Sequence, residues 1–416
     1  MKIELHLIQN FPPSNLNRDD TGSPKDTEFG GHRRARVSSQ CLKRSIRTSD
    51  AFRSELSGQI GRRTKRSAEM LAGALVERHG RSAEDARAVA AAAVRTLIGK
   101  FEDGLTSVLF YVGGDELDDL AARLDGIWDT LAPLVAAQRE AEAQAGAEAE
   151  EGGEEKKKKG KKADKGAATA VEALDAAVAP LKKSFIDGRR NRVGSVDIAL
   201  FGRMLAEEPN LNIDAACQVA HAISTNRVSM EFDYFTAVDD LNPEGTTGAG
   251  MIGTVGYNSS CFYRYALIDV DQLAKNLGGN RELAKEGVRA FIRGAIAAIP
   301  SGKQNSFAAQ TPPSLVMAVA REKGMPWSLA NAFERPVRPS ENASLVDASI
   351  AALDTHWDTL TTMYGVNGAR AFLAASCDDS ALPKLAPARR ASVDEVVDGV
   401  MGVLEERWSA SGEVTP

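Results

Sequence analysis

The chain has 416 residues, with 51 lysines and arginines against 57 aspartates and glutamates, and a formal net charge of −6. Hydrophobic residues make up 43% and charged residues 26%, a balance that is typical of globular proteins and excludes global disorder. No apolar run approaches the ~20 residues of a membrane span, and the opening residues MKIELHLIQN lack the apolar block of a secretion signal. We therefore expect a cytoplasmic protein that makes no use of a membrane.

The cysteines and histidines give no sign of a metal centre. The four cysteines form no CxxC pair, and no two of the five histidines are spaced as i and i+4. Neither a disulfide framework, a zinc knuckle nor an HExxH site is indicated. We predict no cofactor and no bound metal.

The chain opens with a predicted strand and a long loop. Residues 2–8 alternate between charged and aliphatic side chains, the period of a half-buried strand. Residues 11–36 are rich in Pro, Gly and Asn and predict a turn-rich loop. Ser38 and Ser39 are suitable N-caps for a short helix that begins near Gln40.

The middle of the chain is predicted to be mainly helical. The predicted helices are 67–79, 82–98, 116–139 and 170–179, with a strand over 105–112. Residues 141–169 are of low complexity and contain no aromatic or large aliphatic side chain, so they predict a flexible, disordered insertion.

The last part of the chain is predicted to mix strands and helices. The predicted strands are 193–205, 258–270, 303–310 and 315–320, and the predicted helices are 214–224, 281–299, 346–363 and 393–407. Residues 228–257 are rich in Gly with interleaved aromatic residues, which indicates a protruding hairpin or loop. The pattern is that of an α+β fold in which an N-terminal strand pairs with distant C-terminal strands around a helical insertion.

Two basic clusters stand out in this acidic chain. Residues 31–47 contain six arginines and lysines and no carboxylate, and a second cluster comprises Lys182, Lys183, Arg189, Arg190 and Arg192. Such clusters suit anionic partners, but charge alone favours the simpler explanation that they are solvated faces or helix C-termini whose dipole attracts cations.

The residues around the first cluster favour its interpretation as an anion-binding site. Arginines and lysines supply counter-charges, Gly30 and Gly31 allow close backbone approach, and the helix start offers N–H groups beside serine hydroxyls. This mix suits a sugar–phosphate backbone. The candidate residues are Arg18, Lys25, Arg33, Arg34, Arg36, Ser39, Gln40, Lys43, Arg44 and Arg47. Tyr234 and Phe235, followed by Thr236, could stack on bases or could anchor the hairpin to the core.

The segment Asn15 to Arg47, NLNRDDTGSPKDTEFGGHRRARVSSQCLKRSIR, resembles the N-terminal signature of the CasC family. That family forms the backbone subunit of Cascade, the type I-E CRISPR surveillance complex. Further matches occur in the family's order: VDIALFGRM from 196, AHAISTNRV from 220, DYFTAVDDL from 233, CFYRYALID from 261 and NAFERPV from 331.

The resemblance implies a hand-like α+β fold. It has a modified RRM-like (ferredoxin-like) palm, a large helical fingers insertion and a protruding thumb loop. Applied to this chain, the palm takes residues 1–48, 193–227 and 258–416, the last range with the C-terminal helices. The fingers take 49–192 and the thumb 228–257.

The resemblance also implies a function without catalysis. Several copies would assemble head to tail along the crRNA, join other Cascade subunits, and present the guide for pairing with a target DNA strand. Lys25, Arg33, Lys43 and Arg47 would contact phosphates, as would Lys303. Met204 would wedge against a displaced base, and Tyr234, Phe235 and Thr236 would form the thumb tip. His32 departs from the basic residue that relatives often carry, and 141–169 has no counterpart.

Two alternatives remain open on the sequence. One is a metal-dependent endoribonuclease that uses carboxylates such as Asp239 or Asp240. The other is a general single-stranded nucleic-acid-binding protein without a CRISPR association.

Overall fold

The structure is a computed structural model, and it describes residues 1–99, 101–150, 156–237, 240–241 and 251–410. The chain divides into two compact units. The first unit contains residues 1–57, 216–273 and 281–416, and the second contains 58–215 and 274–280. The second unit thus continues to Ala215, whereas the sequence analysis ended the helical insertion at Arg192.

Short runs of strands and of helices follow one another along the described residues. The strands are β1 (Lys2–Ser14), β2 (Asp26–Phe29), β3 (His32–Val37), β4 (Arg62–Thr64), β5 (Phe101–Glu102), β6 (Leu105–Thr106), β7 (Phe110–Val112), β8 (Cys217–Val219), β9 (Ala222–Ser224), β10 (Glu231–Ala237), β11 (Met251–Asp269), β12 (Leu315–Arg321) and β13 (Arg370–Ala375). The helices are α1 (Ser39–Thr48), α2 (Asp50–Ser54), α3 (Ser67–His79), α4 (Ala83–Ile98), α5 (Gly114–Asp125), α6 (Trp128–Glu150), α7 (Lys156–Arg189), α8 (Val196–Phe201), α9 (Val270–Asn276), α10 (Arg281–Ala297), α11 (Gln304–Phe307), α12 (Leu345–Tyr364) and α13 (Val393–Ala410).

The first unit is built on one antiparallel sheet. In the described residues, nine strands join it, in the order β13-β12-β1-β11-β9-β3-β2, with β8 and β10 also paired to β11. β1 lies in the interior, where Leu5 is opposite Ala266 on one side and Ala318 on the other. The expected pairing of the N-terminal strand with distant C-terminal strands is confirmed.

Helices cover both faces of this sheet. On one face, Ile8, Tyr263 and Met317 pack into a core with Trp357 of α12. On the other face, α10 packs on α1 and α2, and Gly294 brings its backbone against Ile46 and Phe52. The packing of α10 on α1 and α2 therefore fixes the position of α1 relative to the sheet.

The second unit is mainly helical. Its core is formed by α3 to α7 and includes Leu75, Val94, Leu124 and Leu174. The described parts of the low-complexity segment are helical rather than irregular, because α6 runs to Glu150 and α7 starts at Lys156. Ala, Glu, Lys and Gln are strong helix formers, so the composition that cannot form a core can still form a helix.

Three further secondary-structure predictions are wrong. Residues 196–201 form a helix, which ends at Gly202 with φ 79°. Residues 217–219 and 222–224 are strands because both segments pair with β11, and this tertiary pairing overrides local helix propensity. Residues 304–307 form one helical turn after Lys303, whose φ of 51° breaks the predicted strand.

In the part of the chain that the structure describes, no helix has the combined length and apolarity of a membrane span.

Candidate nucleic-acid interface

The long loop after β1 is fastened to the base of the β10–β11 hairpin. Asn15 donates from Nδ2 to the carbonyls of Gly256 (2.9 Å) and Gly22 (3.0 Å). A side chain at Gly256 would meet Pro24 at 3.3 Å, so loop and strand are in close contact. The loop is therefore placed beside the hairpin by specific contacts.

The same loop is joined to β3 and to the start of α1. The Lys25 N–H donates to the Asn17 carbonyl at 2.8 Å, and the Arg36 N–H donates to the Lys25 carbonyl at 2.9 Å. The Ser38 N–H donates to Oδ1 of Asn17 at 2.9 Å. These bonds bring Lys25 next to the strand and the helix that carry the other cations.

The arginines of β3 differ in exposure, and Arg34 and Arg36 differ although the period of a strand places them on the same face. Arg33 is exposed and forms a 3.3 Å ion pair with Asp26. Arg36 is half-buried, donates from Nε to the Asp26 carbonyl at 3.1 Å, and lies with Nη1 3.1 Å from Nδ1 of His221. Both are accessible to a ligand.

Arg34 is the exception, because its burial contradicts the prediction that it contacts RNA. Its side chain is fully buried. Nη1 donates to the carbonyls of Ser224 and Thr225, and Nη2 donates to those of Phe333 and Glu334. The guanidinium thus serves as an internal cross-link, since its Nη donors already bond backbone carbonyls.

Gly30 also has an internal role. Its φ is 58°, and a Cβ there would lie 1.9 Å from the carbonyl oxygen of Glu334. Gly30 is therefore required for close approach to the protein's own backbone. Gly31 also has a positive φ, of 72°, but faces open space.

The helix α1 presents a polar face next to this loop. Ser38 caps it by accepting the Cys41 N–H at 3.3 Å, and Leu42 and Ile46 point into the core. The remaining candidates divide into the exposed Gln40 and Arg44 and the half-buried Ser39, Lys43 and Arg47. Arg47 already makes contacts within the protein. The four-residue spacing places Lys43 and Arg47 on one side of the helix.

Lys303 lies close to the same loop. The neighbouring Gly302 packs so tightly that a Cβ would lie 2.4 Å from the Leu16 carbonyl oxygen. An open polar pocket of about 680 Å³ is lined by Arg18, Arg44, Ser301 and others of these segments. The pocket borders cations from the loop and from α1.

The hairpin carries its aromatic side chains on opposite faces. Tyr234 is 63% exposed and Phe232, two residues earlier, is 66% exposed, so they share a face. Phe235 is half-buried, and its ring covers Gly253, where a Cβ would lie 2.5 Å from the ring. Thr236 is exposed. The rings of Tyr234 and Phe232 are therefore exposed, whereas Phe235 packs on the hairpin itself.

Met204 belongs to the second unit. It follows α8 and is 88% exposed, although the preceding Arg203 is buried and paired with Glu116 at 2.8 Å. Methionine often fills gaps in a core, but the exposed side chain of Met204 does not have this role.

The cations depress the pKa of a neighbouring histidine. Partial burial lowers the pKa of His221, and the positive charges of Arg36 and Lys25 lower it further. His221 is accordingly neutral at pH 7. Burial raises the pKa of Cys41, although Lys25 and Arg44 counter this effect.

The carboxylates named in the alternative nuclease hypothesis lie in a segment that is only partly within the described residues. Asp239 lies outside the described residues, and Asp240 is exposed. Within the described ranges, no three His, Cys, Asp or Glu side chains are grouped so that they could hold a metal ion.

The sequence analysis missed Phe232 and His221. Phe232 could have been found from its spacing of two from Tyr234 in a predicted hairpin. His221 gave no local signal, because it meets Arg36 only through the pairing of β3 with β9, in which Arg36 is opposite Ile223.

The chain is thus an α+β protein whose sheet-based unit carries basic side chains and exposed aromatic rings close together. The chain matches the family model of the CT1975-like proteins over residues 3–399 and belongs to that family.

Two solved structures resemble the chain over nearly its whole length. One, a chain of a "CRISPR RNA-guided surveillance complex, pre-nicking", has 31% identity and a TM-score of 0.72, covering 97% of this chain and 100% of that chain. A second, from a "CRISPR RNA-guided surveillance complex", has 27% identity and a TM-score of 0.64, with coverage of 97% and 100%. A comparison with curated proteins found no match. A CRISPR-associated role is supported.

Proposed function

We propose that the chain is a guide-RNA-binding backbone subunit of a type I-E, Cascade-like surveillance complex. Copies would assemble head to tail along the crRNA, beside other complex subunits, and present the guide to a target DNA strand. In this proposal the first unit is an RRM-like palm with the β10–β11 hairpin as thumb, and the second unit is the fingers. The protein has no catalytic role and acts in the cytoplasm.

One observation carries the proposal. Lys25, Arg33, Arg36 and the exposed side of α1 are held together by the loop after β1, and that loop is bonded to the base of a hairpin with exposed aromatic rings. Cations and stacking surfaces side by side are what a single strand requires, because phosphates bind the cations and bases bind the rings. In the described residues, no carboxylate forms an ion pair with Lys25, Lys43 or Arg44.

Met204 supplies a further element. Its exposed, unbranched side chain is suited to insertion between bases, as apolar wedges do in other nucleic-acid complexes. We assign it the displacement of one base of the guide.

The RNA that co-purifies with the protein tests this proposal. The full chain is expressed with its neighbouring subunits and a repeat-spacer transcript, and the bound RNA is extracted and sequenced. We expect one discrete, repeat-bearing species of uniform length. Heterogeneous cellular RNA would instead favour the general single-strand binder, and chelator-sensitive cleavage of labelled RNA would favour the nuclease.

A further inference from the structure

Residues 62–66, with the sequence RRTKR, form an exposed cationic segment of the second unit. Arg62, Arg63, Lys65 and Arg66 are all exposed. Arg66 lies 3.5 Å from Glu69, a pair that is about 70% exposed on both sides and therefore weak. Among the described residues, no carboxylate pairs with the other three cations. This charge is open to an external anion.

The backbone of this cationic segment is fixed at both ends. Before it, the Gly61 N–H donates to Oδ1 of the buried Asp197 at 2.8 Å, and a Cβ at Gly61 would lie 2.8 Å from Ile198. After it, the Lys65 carbonyl accepts from the N–H (2.9 Å) and the hydroxyl (3.2 Å) of Thr106. A fixed backbone lowers the entropy lost when the side chains bind a ligand.

Tyr111 connects the cationic segment to Met204. In the β4–β7 pair, Arg63 is opposite Tyr111, and its guanidinium lies 5.0 Å from the centre of the tyrosine ring. Nη1 of Arg203 donates to the Tyr111 carbonyl at 2.9 Å. Met204 is the next residue and is exposed. An apolar side chain and a row of cations are thus held on neighbouring parts of one unit.

The other basic cluster of this unit is different. Arg189 pairs with Asp115 and with Asp119, and Lys182 lies 3.0 Å from Glu208. Burial lowers the pKa of Arg189, but the two aspartates outweigh it and raise that pKa, as internal pairing requires. Lys182 and Arg189 therefore help to hold the unit together, whereas Lys183 and Arg190 of the same cluster are exposed.

We infer that residues 62–66 form a second binding surface for the sugar–phosphate backbone of a single-stranded nucleic acid. Arg62, Arg63 and Lys65 bind phosphates, and the guanidinium of Arg63 is positioned by its contact with the Tyr111 ring. The ligand chemistry is that of a phosphodiester chain, which an RNA guide or a DNA target strand could supply. The surface lies outside the cation group of the first unit on which the proposed function rests.

Binding of the purified full chain to labelled oligouridylate RNA and to oligothymidylate DNA of the same length tests this inference. Fluorescence anisotropy is recorded over a range of salt concentrations for the native chain and for the triple variant R62Q/R63Q/K65Q. The control is R87Q/K183Q/R190Q, which removes the same charge from exposed positions of the same unit. A further variant, R62K/R63K, keeps the charge and checks that changes at these positions do not unfold the chain.

We expect the triple variant to lower the slope of log affinity against log salt by about 2, at ~0.7 per lost phosphate contact on a single strand. The control and R62K/R63K are expected to keep the native slope. An effect confined to the RNA assigns the surface to the guide, and one confined to the DNA assigns it to the target strand. Equal losses in the triple variant and the control, or no loss with either ligand, overturn the inference. The triple variant is also measured in a K25A/K43A background. If the proposed function is wrong but this inference is right, R62Q/R63Q/K65Q still lowers the salt slope in that background.

Discussion

Nη2 of Arg34 donates to the main-chain carbonyl of Phe333 at 2.6 Å, and this bond joins β3 to a segment 299 residues later. Together with the bonds to Ser224, Thr225 and Glu334, it makes Arg34 the point at which three distant parts of the first unit meet. Removal of its guanidinium would leave four carbonyls with fewer donors.

Arg34→Met is therefore expected to destabilise the protein by about 3 kcal/mol or more, because buried carbonyls lose charge-assisted hydrogen bonds. Thermal denaturation followed by circular dichroism measures this loss. Arg33→Met, at the exposed neighbour, provides the control and is expected to leave the melting temperature nearly unchanged. Equal melting temperatures for the two variants would contradict the cross-linking role.

Gly30→Ala and Gly31→Ala form a second matched pair. Both positions have positive φ, which costs about 1 kcal/mol for an alanine. Only Gly30 faces a backbone carbonyl at 1.9 Å, so we expect Gly30→Ala to cost at least ~3 kcal/mol. Urea unfolding of both variants measures the difference. A Gly30→Ala protein as stable as Gly31→Ala would show that this contact relaxes.

Lys25 and Lys43 are expected to bind phosphates in the first unit. The variant K25A/K43A should weaken RNA binding for every sequence and flatten the salt slope by about 1.4, at ~0.7 for each lost contact. K285A/K323A removes the same charge elsewhere in the unit and should keep the native slope. Unchanged binding by K25A/K43A at low and high salt would count against the proposed function.

Met204→Ala tests the base wedge. Chemical probing of the RNA in the assembled complex is expected to show displaced, reactive bases at regular intervals. In Met204→Ala we expect these periodic reactive positions to disappear, because alanine is too short to hold a base aside. Met204→Leu keeps the apolar volume and is expected to preserve the pattern. An unaltered pattern and unaltered assembly in Met204→Ala would remove the wedge role.

We expect His221 to make RNA binding depend on pH. Its pKa in the free protein is below the ordinary value of 6.5, so as pH falls through 6.5 the unfolded chain takes up a proton first and the fold loses stability. A bound phosphate favours the protonated ring, so RNA affinity is expected to rise as pH falls below about 6.5. His221→Asn should reduce this rise. Identical pH profiles for native and variant chains would place His221 away from the RNA.

The sequence predicts the features that depend on local pattern. The alternation of residues 2–8 predicts β1, and Ser38 predicts the start of α1, because both signals lie within a few residues of the element. The basic stretch correctly indicates where cations gather. It cannot distinguish Arg34 from Arg33, since the carbonyls that bury Arg34 come from positions 190 to 300 residues away.

The same limit explains the wrong predictions. β8 and β9 are strands because they pair with β11. The local sequence, which favours a helix, does not indicate this long-range pairing. The cations of residues 62–66 and those of 182–192 are alike in composition. Only the positions of Asp115, Asp119 and Glu208 in the folded unit show that Lys182 and Arg189 are paired internally while the cations of 62–66 are exposed.

The 19-residue strand β11 pairs with β10 over its first part and with β1 over its last. Its inter-strand hydrogen bonds lie perpendicular to the chain, so a pull along β11 loads many of them in shear at the same time. The hairpin is thus a mechanical extension of the central sheet. A force on a ligand bound by the hairpin would be transmitted through β11 to the central strands of the first unit. It would not unfold a peripheral loop first.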